Sequence, residues 1–283
     1  MNTCNILLEV AQLALTVSRK YLAAYGHAKS PRRFTQPQLM ACLVLKAYTK
    51  STYRGIVDLL DASDKLQNAL GLKRIPNYST LQKFSERVAN PQILDALLAE
   101  VFKIAGPQEG SGEAAAIDST GFSPTPASVY YRGKVGKASR HFIKVSLVVC
   151  LPTLLAVSMA VNFGPTSDLK EAAGLLWKTG QRFLPMTLYA DKGYDAEWMH
   201  MWSRRYWGAR SVIPPVIRTA DGSIETPYRR MMHPLPKDYG RRSGIESYMS
   251  GLKRSCGGSL TTRKQGTMFT EAAMRVLAYT IRR

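Results

Sequence analysis

The chain has 283 residues, enough for one large domain or two modest ones around a real core. At 45% hydrophobic and 21% charged residues, with no low-complexity tract, its composition excludes a fibrous or disordered protein. The charge is unusual: 39 Lys and Arg oppose 20 Asp and Glu, and a formal net charge of +19 calls for a polyanionic partner such as DNA or RNA. An acidic membrane surface is the competing partner, but no basic amphipathic helix or lipidation motif supports it. The cysteines (Cys4, Cys42, Cys150 and Cys256) have no metal-ligand spacing and read as reduced, buried small hydrophobes. No signal peptide is legible, because Glu9 interrupts the early apolar positions. The longest apolar tract, 145–161, falls short of the ~20 residues of a membrane span and is split by Pro152-Thr153. It reads as two strands and a turn, so a soluble, cytoplasmic protein with no membrane partner is expected.

The first third reads as helices. Residues 4–25 form an amphipathic helix with Gly26 as its stop. Thr35-Gln-Pro37-Gln38 opens a second helix in good grammar, with Thr35 as cap, Pro37 in the first turn and Gln38 completing the box. Shorter helices follow at 53–62 and 64–70, the latter closed by Gly71. Ser79-Thr-Leu-Gln82 starts another, with Lys83 and Arg87 on its outer face, and Asn90-Pro91 opens a last helix running to Gly106. These short helices and tight turns suit either a helix-turn-helix-like DNA-binding module, with helix 80–89 against a groove, or a plain bundle with solvated charges.

A glycine-rich linker, 107–113, divides the chain into a helical N-terminal domain, 1–106, and a second domain, 114–283. In the second domain Ala114-Ala-Ala-Ile117-Asp118 reads as a short strand ending in an acid, followed by a polar segment and strands at 142–151 and 154–163. A helix at 168–180 leads to Thr187-Leu-Tyr-Ala190-Asp191, a second strand ending in an acid, and then to a helix at 196–207 and a strand at 211–217. Trp198, Trp202 and Trp207 on that last helix read as core residues. The adjacent strands 142–151 and 154–163 suit an antiparallel hairpin, and strands reached through helices should be parallel. The class is therefore α/β, a mixed sheet with flanking helices.

Asp118 and Asp191 at strand ends can converge if their strands are neighbours, because strand ends form the ligand crevice of an open α/β sheet. A third acid lies in Tyr239-Gly-Arg-Arg242-Ser-Gly-Ile-Glu246-Ser-Tyr-Met-Ser-Gly-Leu-Lys253. If the whole stretch is helical, at ~3.6 residues per turn, Tyr239, Arg242, Glu246 and Lys253 share one face. Alternatively Ser243-x-x-Glu246 is a capping box that opens the helix, which leaves Tyr239 and Arg242 in the preceding loop and Glu246 half exposed. Asp118 and Asp191 have a bland alternative too, as turn-forming residues just past a strand. Three carboxylates without His or Cys favour Mg2+ or Mn2+ over zinc, and a pair of such ions about 4 Å apart serves phosphoryl transfer.

Taken together, Asp118, Asp191 and Glu246 with the spacing Tyr239-x2-Arg242-x3-Glu246-x6-Lys253 resemble the DDE transposases of prokaryotic insertion sequences, in the branch carrying a Tyr-(2)-Arg-(3)-Glu-(6)-Lys signature and best like insertion-sequence family five. Ile117-Asp118-Ser-Thr, Ala190-Asp191-Lys-Gly-Tyr194 and Pro76-Asn-Tyr-Ser-Thr-Leu-Gln-Lys-Phe84 resemble that group as well. The resemblance implies a ribonuclease H-like catalytic domain that binds two Mg2+, for which Mn2+ can substitute, at Asp118, Asp191 and Glu246. Such an enzyme binds the element's terminal inverted repeats, cleaves there and joins the 3′-hydroxyls to target DNA. About 55 residues separate Asp191 from Glu246, too few for the large β-rich insertion of some relatives. Expected DNA contacts are Tyr239, Arg242, Lys253, Lys192, Arg241, Arg254, Lys83 and Arg87. Because transposition brings two ends together, a homodimer or higher synaptic assembly on the bacterial or archaeal nucleoid is expected. The alternatives are a domesticated, catalytically silent DNA-binding protein of the same fold and a cellular ribonuclease H-like nuclease.

Overall fold

The structure, a computed structural model, describes residues 5–87, 90–107, 113–124, 142–262 and 264–283. Cys4, residues 108–112 of the expected linker and the polar segment 125–141 lie outside the described residues. The chain forms two compact units, one of Met1–Val101, Phe122–Ile143 and Leu252–Arg283, the other of Phe102–Gly121 and Lys144–Gly251.

The first unit is helical. α1 (Ile6–Tyr21) starts where the Asn5 side chain accepts the Leu7 N–H, and it buries Val10, Ala14 and Val17 along one stripe. It stops short of the expected Gly26, since Leu22 is already extended. α2 (Gln36–Tyr48) begins in the expected capping box: Thr35 accepts from the Gln38 amide, and the Gln38 side chain accepts the Thr35 N–H at 2.9 Å. α2 buries Pro37 and every position from Leu39 to Leu45, the mark of a helix surrounded on all sides. α3 (Tyr53–Asp61) and α4 (Asp64–Leu70) follow, and α4 ends on Gly71 at φ +63°, a left-handed cap that favours glycine. α5 (Tyr78–Arg87) is entered through Asn77, whose side-chain Oδ1 accepts the Ser79 N–H at 3.0 Å, so Asn77 and not Ser79 caps it. α6 (Pro91–Ala105) is capped by Asn90, which accepts the Ile93 N–H at 2.9 Å.

The second unit holds a five-stranded mixed sheet, in the order β3-β2-β1-β4-β5. Its strands are β1 (Ala114–Phe122), β2 (Phe142–Cys150), β3 (Leu155–Gly164), β4 (Thr187–Ala190) and β5 (Arg210–Val212). β2 and β3 divide the long apolar tract as expected. Neighbours joined by so short a turn form a hairpin, while β1–β4 and β4–β5 are parallel. α7 (Leu169–Gly180) and α8 (Glu197–Trp207) supply the parallel crossovers. One core joins Ile117, Val148, Val157, Leu175, Leu188 and Met199, with Trp198, Trp202 and Trp207 packed against it. β5 is shorter than the expected 211–217 because Pro214 and Pro215 lack the N–H groups a ladder needs.

Three further helical pieces complete the chain: a short α9 (Pro227–Arg230), α10 (Ser243–Cys256) and α11 (Gln265–Arg282). α11 belongs to the helical unit, where it packs on α2, α1 and α5 and is buried at every residue from Ala272 to Ile281. Among the described residues no helix is long and apolar enough to cross a membrane.

Candidate active site

The small side chains of Ala114, Ala115 and Ala116 are fully packed at the middle of the sheet, and there β1 meets β4 with Ile117 opposite Ala190. The next residue on each strand is an acid, so Asp118 and Asp191 occupy adjacent points at the carboxyl end of the β1–β4 pairing. β1 itself runs on to Phe122 rather than ending at its acid. β4 does end, because Asp191 turns the chain into a 3-10 turn, Lys192–Tyr194, and caps it by accepting the Gly193 N–H at 2.8 Å. Asp191 therefore has the turn-forming role and the strand-end position at once.

Asp118 accepts the Ser119 N–H at 2.7 Å. Burial pushes its carboxyl above the usual range; the Ser119 amide opposes this, the neighbouring charge of Asp191 adds to it and Arg242 pulls it back. Beneath it runs a network the sequence gives no direct sign of. Ser119 Oγ meets Ser146 Oγ at 2.8 Å and the buried Tyr194 hydroxyl at 3.0 Å. Ser146 in turn donates to Glu171, which shares Lys144 with Asp168 at 3.1 and 2.8 Å. A buried lysine with two carboxylates is a costly arrangement unless fully bonded, and Lys144 also donates to the Thr166 carbonyl at 2.9 Å. A Cβ at Gly193 would stand 2.9 Å from Asp168 Oδ2 and 3.0 Å from Asp191 Oδ1, so a side chain there would push these carboxylates aside. The Gly-Tyr pair after Asp191 was the one sequence signal of this packing.

Glu246 lies in the first turn of α10. Tyr239 and Arg242 do not share its α-helix: they stand in a 3-10 segment, Lys237–Arg242, before it. The common helical face is thus lost, and the α-helix starts at Ser243 as the second reading has it, although the Glu246 carboxylate is taken by Arg242 and no capping-box bond appears among the described residues. The reason is tertiary, because Asp238 is held by the Tyr189 hydroxyl at 2.7 Å and by Arg210, tying the 3-10 segment to β4 and β5. Arg242 nevertheless reaches both acids. Its Nη1 donates to Asp118 Oδ2 at 3.0 Å, and its Nη2 donates to Glu246 in a close ion pair. The Tyr239 ring lies 6.0 Å from the same guanidinium. Among the described residues no three His, Cys, Asp or Glu side chains stand close enough to hold a metal ion as they are.

Of the other expected DNA contacts, Lys192 is exposed beside Asp191, and Arg241 is exposed with its guanidinium 6.0 Å from the Tyr189 ring. Lys253 and Arg254 come later on α10, in the part belonging to the helical unit, where burial lowers the Lys253 ammonium. Lys83 and Arg87 point outward from α5 in that unit, one turn apart.

The chain matches the family profile described as the transposase DDE domain over residues 109–281. Among solved structures it is similar to the piggyBac transposase in a cryo-EM synaptic complex with hairpin DNA, at 12% identity and a TM-score of 0.48, covering 99% of this chain and 72% of that one. No curated protein sequence matches it.

Proposed function

The chain belongs to the DDE transposase family, and from that premise we propose that it cuts DNA at the ends of an insertion sequence and joins the freed 3′-hydroxyls to target DNA, with Asp118, Asp191 and Glu246 as ligands of divalent cations. The observation that carries the assignment is the β1–β4 register, which sets Asp118 and Asp191 side by side. The donor set fits Mg2+ or Mn2+, since it is all carboxylate, without the nitrogen or sulfur that zinc prefers. Bound there, such ions activate the attacking oxygen and stabilise the leaving one. The protein's own part is to hold the three carboxylates. The Ser119 and Gly193 amides fix the Asp118 and Asp191 side chains, and the Lys144–Glu171–Ser146–Ser119 network stiffens the strand beneath them.

The finer reading follows from the same signature. The sheet unit is ribonuclease H-like, the element is of the insertion-sequence family five kind, and the helical unit docks on the terminal repeats through α5, as a helix-turn-helix would. Exposed Lys192 and Arg241 beside the acids, together with Lys253 and Arg254, supply phosphate contacts, and two copies synapse the ends. The net charge of +19 supports a DNA partner.

Substitutions that keep size but remove charge test the assignment. Asp118→Asn, Asp191→Asn and Glu246→Gln should each abolish Mg2+-dependent nicking of a duplex carrying the element's inverted repeats, with retention of that duplex in a mobility-shift assay unchanged within about twofold. Normal nicking by any one variant removes that residue from the centre.

A further inference from the structure

Arg242 was expected on a DNA phosphate, yet its guanidinium bonds to two of the three candidate ligands. One nitrogen donates to Asp118 Oδ2 at 3.0 Å and the other is paired with Glu246, so both carboxylates lie within the span of a single planar cation. The three side chains differ in shelter: Arg242 is 17% exposed and Asp118 20%, but Glu246 is 56% exposed. The Asp118 arm is therefore the protected one and the Glu246 arm the one open to water.

We propose that Arg242 is a positioning residue of the carboxylate centre: it fills the place between Asp118 and Glu246 until a divalent cation takes that place. This rests on the reading of the acids as ion ligands. Without the guanidinium, the gap between Asp118 and Glu246 would hold no protein cation, and a divalent ion would meet two like-charged carboxylates with nothing to displace. With it, the two carboxylates are held on one cation before any metal arrives. Guanidinium and metal ion cannot share the gap, because two cations in contact repel. Ion entry thus breaks two charge-assisted hydrogen bonds and releases Arg242 toward the Tyr239 ring or toward a phosphate. A DNA phosphate that accepts the freed guanidinium favours the ion-bound form, and the coupling is reciprocal: DNA raises metal affinity and metal raises DNA affinity.

The test is Mn2+ binding by the full chain, followed by electron paramagnetic resonance without any turnover. In the absence of DNA, Arg242→Ala should bind Mn2+ about tenfold more tightly than the wild type, and Arg242→Lys should fall between them. Arg241→Ala removes the same charge from the adjacent exposed position and should shift the affinity less than about twofold. A short duplex of arbitrary sequence should tighten Mn2+ binding by the wild type and leave Arg242→Ala unchanged. Equal Mn2+ affinity of wild type and Arg242→Ala, or the same gain in Arg241→Ala, overturns the inference and leaves the metal-site reading intact. No bound Mn2+ in any of these proteins, with or without the duplex, removes both. Should Arg242→Ala fail to melt cooperatively, the comparison of Arg242→Lys with wild type carries the same decision.

Discussion

His200 is buried on α8 and shows how a titratable side chain of this chain serves the fold and not the chemistry. Its Nδ1 meets Ser211 Oγ at 2.7 Å, and that same oxygen accepts from Arg204 at 2.7 Å. Ser211 Oγ thus joins the imidazole to the Arg204 guanidinium, while the buried His200 Nε2 has no hydrogen-bond partner among the described residues. Burial, and next the Arg204 charge, lower its pKa to about 4. The unfolded chain takes up a proton near pH ~6.5 while the folded chain refuses it, so stability falls as the pH drops from about 6.5 to about 4. The full span amounts to about 3 kcal/mol. Urea melts at pH 7 and pH 5 should differ for the wild type, and His200→Gln should lose most of that difference; an unchanged difference would discard His200 as its source. Asp195 nearby acts as a structural acid in a different way. Burial raises its carboxyl, but two hydrogen bonds from Arg229 and one from the Val216 amide outweigh that and hold it below the usual range. Four positions separate it from Asp191, yet its charge is spent inside the core.

The elements divide by how local their causes are. The start of α2 is written in four residues, Thr35 to Gln38, and forms as read because each partner lies within one turn of the other. Thr35→Ala removes the oxygen that takes the Gln38 amide and should cost about 1 kcal/mol in a denaturant melt, with Thr35→Ser restoring most of it. A loss below a few tenths would mean the cap is redundant with the burial of α2. Gly71 and the Asn90 cap are legible for the same reason, whereas the start of α5 reads as Ser79 and is in fact capped by Asn77. The 3-10 segment before α10 is not, because what holds it, Asp238 against Tyr189 and Arg210, comes from residues 49 and 28 positions away. The spacing of Tyr239, Arg242 and Glu246 was visible, but the arm that carries Arg242 to Asp118 comes from a turn and not from a helical face. α11 escaped for another reason: a helix buried on every side from Ala272 to Ile281 has no apolar stripe to betray its period. The pair Asp118 and Asp191 was legible as two strand ends, and only the register showed that they are neighbours.

At the scale of the molecule the chain is interleaved, since its last stretch, Leu252–Arg283, returns to the helical unit that its first hundred residues begin. α10 thus starts in the sheet unit with Glu246 and ends in the helical unit with Lys253 and Arg254, so one helix of the sequence supplies both a candidate ligand and candidate phosphate contacts. The excess positive charge lies mostly in the helical unit, whose segments hold 24 Lys and Arg against 8 Asp and Glu, and polyelectrolyte binding of this sort is driven by counterion release. Its affinity for any duplex should therefore fall linearly on a plot of log affinity against log salt, with a slope set by the number of phosphates neutralised. α5 provides the sharpest use of that slope, because Lys83 and Arg87 stand four residues apart on its solvent side and Arg87 Nε is only loosely held by the Lys83 carbonyl, at 3.3 Å. If α5 lies along the duplex, Lys83→Ala and Arg87→Ala should each reduce the slope by about 1, and the double variant by about 2, while helix content stays as it was. The variants should weaken binding to repeat-bearing and arbitrary duplexes by the same factor if both side chains meet phosphates, and unequally if either reads a base edge. Slopes that match the wild type for both substitutions would place the duplex elsewhere, and α5 would then be a bundle helix with a solvated face.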